Sequence, residues 1–175
     1  MARLIVLILA SAALLLNACS SQRELGPRER KILYSSSYNY EIQPAGVGSN
    51  GTKAVKVWGY GPSVEEAVQI AKRNAVAACI FHGIPAGPGV GRTPAIVTDR
   101  DAHEKHADFF EEFFKVGGKY LRFISLSTEG PPSGQDRLRI ERNYYKVGIY
   151  AQVMYDDLRR ELEEEGIARR LDHGF

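Results

Sequence analysis

The sequence predicts an α+β domain: a two-layer arrangement with an antiparallel sheet and its helices on one face, in the order β-β-α-α-β-β-α. Two observations carry this. Side chains alternate at period two over residues 53–60 and again over 145–155, whereas apolar spacing between 63 and 114 is helical. The strand-like runs also come in pairs with helices between the pairs. That favours hairpins over the single strand–helix alternation of a parallel sheet.

The first eighteen residues stand apart from this domain. Arg3 supplies a positive start, Leu4 to Leu16 is apolar apart from Ser11, and Asn17-Ala18 places a small residue before Cys19. This is the layout of a secretory leader. The apolar run falls short of the roughly 20 residues that a membrane-spanning helix needs. Leu16-Asn17-Ala18-Cys19 is similar to a bacterial lipobox. The resemblance implies that the Cys19 thiol receives a diacylglycerol, that the leader is cut before Cys19, and that the new amine is acylated with a chain such as palmitate. Each buried acyl CH₂ contributes ~0.8 kcal/mol, so several chains on one residue hold a protein stably. Ser20, where other lipoproteins of this kind carry Asp for inner-membrane retention, implies an outer-membrane, periplasm-facing location. The expected organisation is a signal peptide (1–18), a lipidated tether (19–30), one domain (31–166) and a C-terminal tail (167–175).

Composition narrows the function classes. Removing residues 1–18 from the 175 leaves 157, enough for a core without staples. Arg3 is the one basic residue lost of 23, and none of the 21 acidic residues is lost, so the remainder is almost neutral. Neither a nucleic-acid partner nor attraction to anionic lipid is implied. With Cys19 lipidated, Cys79 has no intrachain partner and reads as a small buried apolar residue.

Along the chain, Ile32 to Ile42 carries Tyr34, Tyr38, Tyr40 and Ile42 at even spacing, a first strand. Pro44 to Gly51 reads as a loop. Lys53 to Tyr60 is a second strand, with Val55 and Val57 on one face and Lys56 and Trp58 on the other. Ser63 and Glu66 form a capping box that opens a helix to about Phe81, with Gly83 as its C′ residue. Val64, Ala67, Ala71, Ala75 and Ala78 form a small-residue stripe that lets this helix lie close to a sheet. Lys72, Arg73 and Asn74 mark its solvent side. Gly83 to Thr98 is glycine- and proline-rich, and reads either as a structural crossover or as a binding loop. A second helix, capped by Thr98 or Asp99, carries Ala102, His106, Phe109, Phe110, Phe113 and Phe114 on one face and ends at Gly117-Gly118. That face is either core or a docking surface. Tyr120 to Leu126 is a third strand and Ser127 to Gln135 a turn. Arg137 to Tyr155 is one long strand with a bend at Asn143 or Gly148. Asp156 then caps a final helix with Leu158 and Leu162 inward and Arg159–Glu163 and Arg160–Glu164 pairs on its solvent side.

Catalytic patterns are absent. His103 and His106 stand at i,i+3, not at the i,i+4 spacing of a zinc-binding helix, although His82 folding beside them would make a metal enzyme worth considering. Gly48-Ser49-Asn50-Gly51 lacks the spacing of a nucleophile elbow. No catalytic residue, metal or cofactor is therefore expected, and the chain reads as a non-enzyme. Aromatics on the strands are more informative. Trp58, Tyr60, Tyr144 and Tyr150, with Tyr34, Tyr38, Tyr40 and Tyr120, lie on strands or strand ends. They form either a protein interface or ordinary cross-strand pairs.

A strand ending in Gly59-Tyr60-Gly61, then Ser63-Val64-Glu65-Glu66-Ala67 and an Ala-rich helix through Ala71-Lys72-Arg73-Asn74-Ala75, resembles the N-terminal domain of the flagellar T-ring protein. It is also similar to uncharacterised Bacteroidetes-type envelope lipoproteins. The resemblance covers about residues 54–82 and implies an α+β envelope domain that works by assembly. The glycine-rich loop and Phe-rich helix depart from the flagellar pattern. The expected function is thus a lipid-anchored, non-catalytic interaction component of an envelope assembly, such as a secretion or transport apparatus. Its partners are the membrane through Cys19 and an envelope protein. The alternative is a small-molecule or glycan-binding lipoprotein using loop 83–98.

Overall fold

The computed structural model describes residues 41–142 and 144–170. The leader, Cys19, the tether and Tyr34, Tyr38 and Tyr40 of the first expected strand lie outside the described residues.

Strand β1 (Ile42–Gly46) pairs antiparallel with β2 (Thr52–Gly61), Ile42 opposite Val57. This is the expected hairpin, but its first strand runs through Pro44 to Gly46, which the sequence assigned to the loop. The Trp58 N–H donates to Glu41 C=O at 3.0 Å. Alternation then turns the position of Pro44's missing N–H away from β2, so no ladder bond is lost. The turn is tight: Asn50 (φ 51°) and Gly51 (φ 74°) are left-handed, and Thr52 donates through N–H and Oγ1 to Ser49 C=O.

Helix α1 (Val64–Phe81) begins and ends where local chemistry dictates. Ser63 Oγ accepts from the Glu66 N–H at 3.1 Å. At the other end Gly83, at φ 80°, donates its N–H to Ala78 C=O at 2.7 Å. The Cys79 and Ile80 carbonyls, also left without helical partners, accept from the Ile96 and Val97 N–H groups. Ala67, Ala71, Ala75 and Ala78 are fully buried, with α1 packed on β2 and on the strand Tyr144–Met154. Arg73 is not on a solvent side, as its neighbours in sequence suggest, but only 6% exposed. Its guanidinium lies 5.8 Å from the Tyr120 ring centre, and its Nε has no hydrogen-bond partner among the described residues. Val76, Ala77 and Ile80 are buried too, so the C-terminal half of α1 is enclosed on nearly all sides, while Glu65, Glu66 and Gln69 of its first half stay exposed.

The expected Phe-rich helix is two helices, α2 (Ala102–Lys105) and α3 (Ala107–Phe114), broken at His106 (φ −120°, ψ 36°). Asp99 does not cap the helix; its carboxylate accepts from the Asp101 N–H at 3.0 Å in the turn before it. Phe110, Phe113 and Phe114 are buried, and Phe110 meets Phe81 edge-on at 4.9 Å. Tyr120 to Leu126 is not one strand. Residues Lys119–Phe123 form a 3₁₀ turn, and only β3 (Ile124–Leu126) is extended. Three residues per turn place Tyr120 and Phe123 on the same side, and both are buried.

The long C-terminal strand is also divided. Arg137–Glu141 (β4) turns back to pair with β5 (Tyr144–Met154). β5 pairs with β2 along ten residues on one edge; on the other, β3 meets 151–153 and β4 meets 144–147. The sheet order is β1-β2-β5-β3, with β4 on the same edge of β5 as β3. The antiparallel sheet curls, so the fold is α+β but not the expected two-layer arrangement. The observed order is β-β-α-α-α-β-β-β-α.

Helix α4 (Tyr155–Glu164) follows β5 directly. Asp156 lies in its first turn rather than at the cap and donates its N–H to Gly51 C=O at 3.1 Å. Leu158 and Leu162 are buried as expected. Arg159 pairs with Glu163 at 3.6 Å, but both side chains are largely covered, and Arg160 pairs with Asp157 instead of Glu164. The Ile167 and Ala168 N–H groups both donate to Leu162 C=O, which seats the start of the tail against the body.

Cys79 sits in the middle of this packing. Burial pushes its thiol up to about 12, against a small opposing pull from Lys53. It is therefore protonated at neutral pH and sterically closed. In a Cys19→Ser background we expect Ellman's reagent to leave Cys79 unmodified until denaturant is added. Stoichiometric reaction in buffer would contradict this packing.

Candidate functional site

The face of the sheet opposite α1 is built by period-two alternation in β2 and β5. Val55 and Val57 of β2, and Val147, Ile149, Ala151 and Val153 of β5, point into the core. Lys56, Trp58 and Tyr60, and Tyr144, Lys146, Gly148 and Tyr150, therefore share the other face. The cross-strand register then decides who meets whom: Lys56 stands opposite Tyr150, Trp58 opposite Gly148, and Tyr60 opposite Lys146.

Trp58 is the centre of this array. A Cβ on Gly148 would lie 2.9 Å from its ring, so the indole covers the space that a side chain at 148 would occupy. Lys56 Nζ lies 5.0 Å and Lys146 Nζ 4.8 Å from the Trp58 ring centre. Lys56 also lies 4.8 Å from Tyr150, and Lys146 lies 5.4 Å from Tyr60. Each such cation–ring contact contributes about 0.5–1 kcal/mol at a partly exposed site.

Two carboxylates fix the lysines in place. Asp136, on the short 3₁₀ turn before β4, holds Lys56 at 2.6 Å. Glu41 Oε2 holds Lys146 at 2.5 Å, and its Oε1 accepts from the Tyr60 hydroxyl at 2.8 Å. The hydrogen bonds that Lys56 and Lys146 donate to Asp136 and Glu41 respectively raise the pKa of each lysine, against burial. Burial pushes Glu41 up, but Lys146 and Tyr60 together outweigh it and leave the carboxyl below its ordinary range. Burial raises the Tyr60 phenol. The array thus sets two lysines, each paired with an acidic side chain, around flat aromatic surface. Its chemistry is that of recognition by stacking and paired hydrogen bonds.

Among the aromatics picked out from sequence, Trp58, Tyr60 and Tyr150 come together here. Tyr144 shares the face at the far end of β5 and is 41% exposed. Tyr120 leaves it for the core. Beside Tyr144, β4 exposes Leu138 (46%) and Ile140 (50%), which sequence reasoning did not single out. Their signal was the strand alternation in Arg137-Leu138-Arg139-Ile140, masked by reading 137–155 as a single strand. Glu41 and Asp136 carried no sequence signal, because each comes from outside the strand that it braces. His103 pairs with Glu104 at 3.8 Å, and among the described residues no three His, Cys, Asp or Glu side chains gather to hold a metal.

The chain matches no protein-family model, no curated protein and no solved structure.

Proposed function

We propose that this chain is a lipid-anchored, periplasm-facing lipoprotein of the bacterial outer membrane. Its domain serves as a non-catalytic component of an envelope assembly, such as a secretion or transport apparatus. The anchor rests on the leader and on Leu16-Asn17-Ala18-Cys19. The observation that carries the assembly role is the Lys56–Trp58–Lys146 array on the sheet face opposite α1, flanked by Tyr60, Tyr150, Tyr144 and the exposed Leu138 and Ile140. Aromatic residues held rigid by neighbours, next to exposed aliphatics and a polar rim, are the composition of a protein contact surface.

Cross-linking in intact cells, purification through a C-terminal tag and mass spectrometry test this. A reproducible set of envelope proteins is expected, and it should be lost on Trp58→Ala or Tyr150→Ala in variants whose thermal melts show that they remain folded. Recovery of the lipoprotein alone would overturn the assembly role. Cys19→Ala is expected to leave the membrane fraction and to stop incorporating labelled palmitate. Retention of both would overturn the anchor.

A further inference from the structure

We infer that the glycine-rich loop forms a binding site for a small carboxylate carried on a short aliphatic body. The site is a cleft of about 300 Å³ lined by Ile42, His82, Gly83, Ile84, Pro85, Ala86 and Arg92. It shares no lining residue with the Trp58 array, and its occupancy is independent of the assembly role proposed above.

Three observations identify the ligand class. The first is shape. The volume is at the lower end of ligand sites, which suits a molecule of few heavy atoms. The second is charge. The lining holds the Arg92 guanidinium and no acidic residue. Arg92 is exposed and makes no ion pair or hydrogen bond among the described residues, unlike Lys56, Lys105 and Lys146, which all have carboxylates. A helix C-terminus beside the cleft would ordinarily repel an anion. Here the Ala78, Cys79 and Ile80 carbonyls are all occupied by backbone N–H groups of residues 82, 83, 96 and 97. The planar fork of Arg matches a carboxylate in two parallel hydrogen bonds. The third is the apolar wall of Ile42, Ile84, Pro85 and Ala86, which offers cover to an aliphatic body but no further polar group to read one.

The cleft is also built in advance. Ile84 and Thr93 exchange backbone hydrogen bonds at 2.9 and 3.0 Å, and Gly87 and Val90 do the same. Gly87 lies against Pro44 so closely that a Cβ would overlap the proline ring, which fixes the loop to β1. A ligand therefore meets a framed site instead of having to order a loop.

Such a carboxylate has two sources, a free short-chain acid or the C-terminus of a peptide ending in an aliphatic residue. NMR titration of the full mature chain with isovalerate, and with the dipeptide acetyl-Ala-Leu, separates them. We expect saturable shifts of the amide signals of Gly83, Ile84 and Ala86 with at least one of the two; the tighter binder names the source. Isovaleramide and the amidated dipeptide should bind about tenfold more weakly or not at all. Arg92→Gln should weaken carboxylate binding by a similar factor, with Arg92→Lys between the two. Arg92 is exposed, so these variants keep the fold. Absence of saturable shifts with both carboxylates overturns the proposal, and so does binding that is equal for acid and amide or unaffected by Arg92→Gln.

Discussion

Gly59→Ala is expected to cost about 3 kcal/mol or more, enough to unfold much of a domain of ordinary stability. Gly59 lies on β2 directly beneath α1, where the helix backbone approaches the strand. A Cβ there would overlap the backbone of Ala67 and come within 2.9 Å of the Ala71 Cα. Backbone atoms cannot rotate out of the way as a side-chain tip can. The helix must lift, and Ala67, Ala71 and Ala75, all fully buried, would lose their contact with the sheet together. Gly91→Ala is the control: a Cβ at 91 meets nothing within 4 Å, so no measurable loss is expected. Urea denaturation of the two variants measures the difference. If Gly59→Ala unfolds at the wild-type midpoint, the close approach of α1 to β2 is wrong.

Phe114→Ala is expected to cost about 3–5 kcal/mol. Phe114 is fully buried, edge-on to Phe113 at 4.9 Å and 5.7 Å from the Tyr120 ring. Removing it leaves a cavity that neighbouring rings cannot fill without breaking their own contacts. Phe109 stacks on Phe113 at 5.4 Å but is only half-buried, so Phe109→Ala should cost about 1–2 kcal/mol. Calorimetric melting of both variants decides between the two sequence readings of this helix. A large loss at 114 with a small loss at 109 identifies a core wall with one ring at its rim. A negligible loss at 114 would mean that the Phe face serves a partner instead of the interior.

These two cases show where the sequence was legible. The stripe of alanines in α1 announced a close approach, and Gly59 and Gly61 on the preceding strand were its counterparts. The Phe spacing announced a single apolar face but left open whether core or partner covers it; Phe110, Phe113 and Phe114 are buried. In the candidate site, alternation placed Lys56 and Trp58 on one side of β2, and Lys146, Gly148 and Tyr150 on one side of β5. It did not say that Trp58 would lie over Gly148 between two lysines, because that depends on the register between strands some ninety residues apart.

The sequence by itself determined the ends of α1, the pairing of β1 and β2 as a hairpin, and the two long alternating strands. Each depends on interactions within a few residues: a cap three positions from its amide, a glycine at the left-handed helix end, a period set by the backbone. Tertiary structure decided the rest. It broke the Phe-rich helix at His106, wound Tyr120 into a 3₁₀ turn, folded residues 137–154 back on themselves, and enclosed Arg73 beside Tyr120. In each of these segments local preference was nearly neutral between alternatives. The choice fell to what the segment met across the core: an open edge of β5 for β3 and β4, a ring for a guanidinium, and a helix that needed covering on its second side.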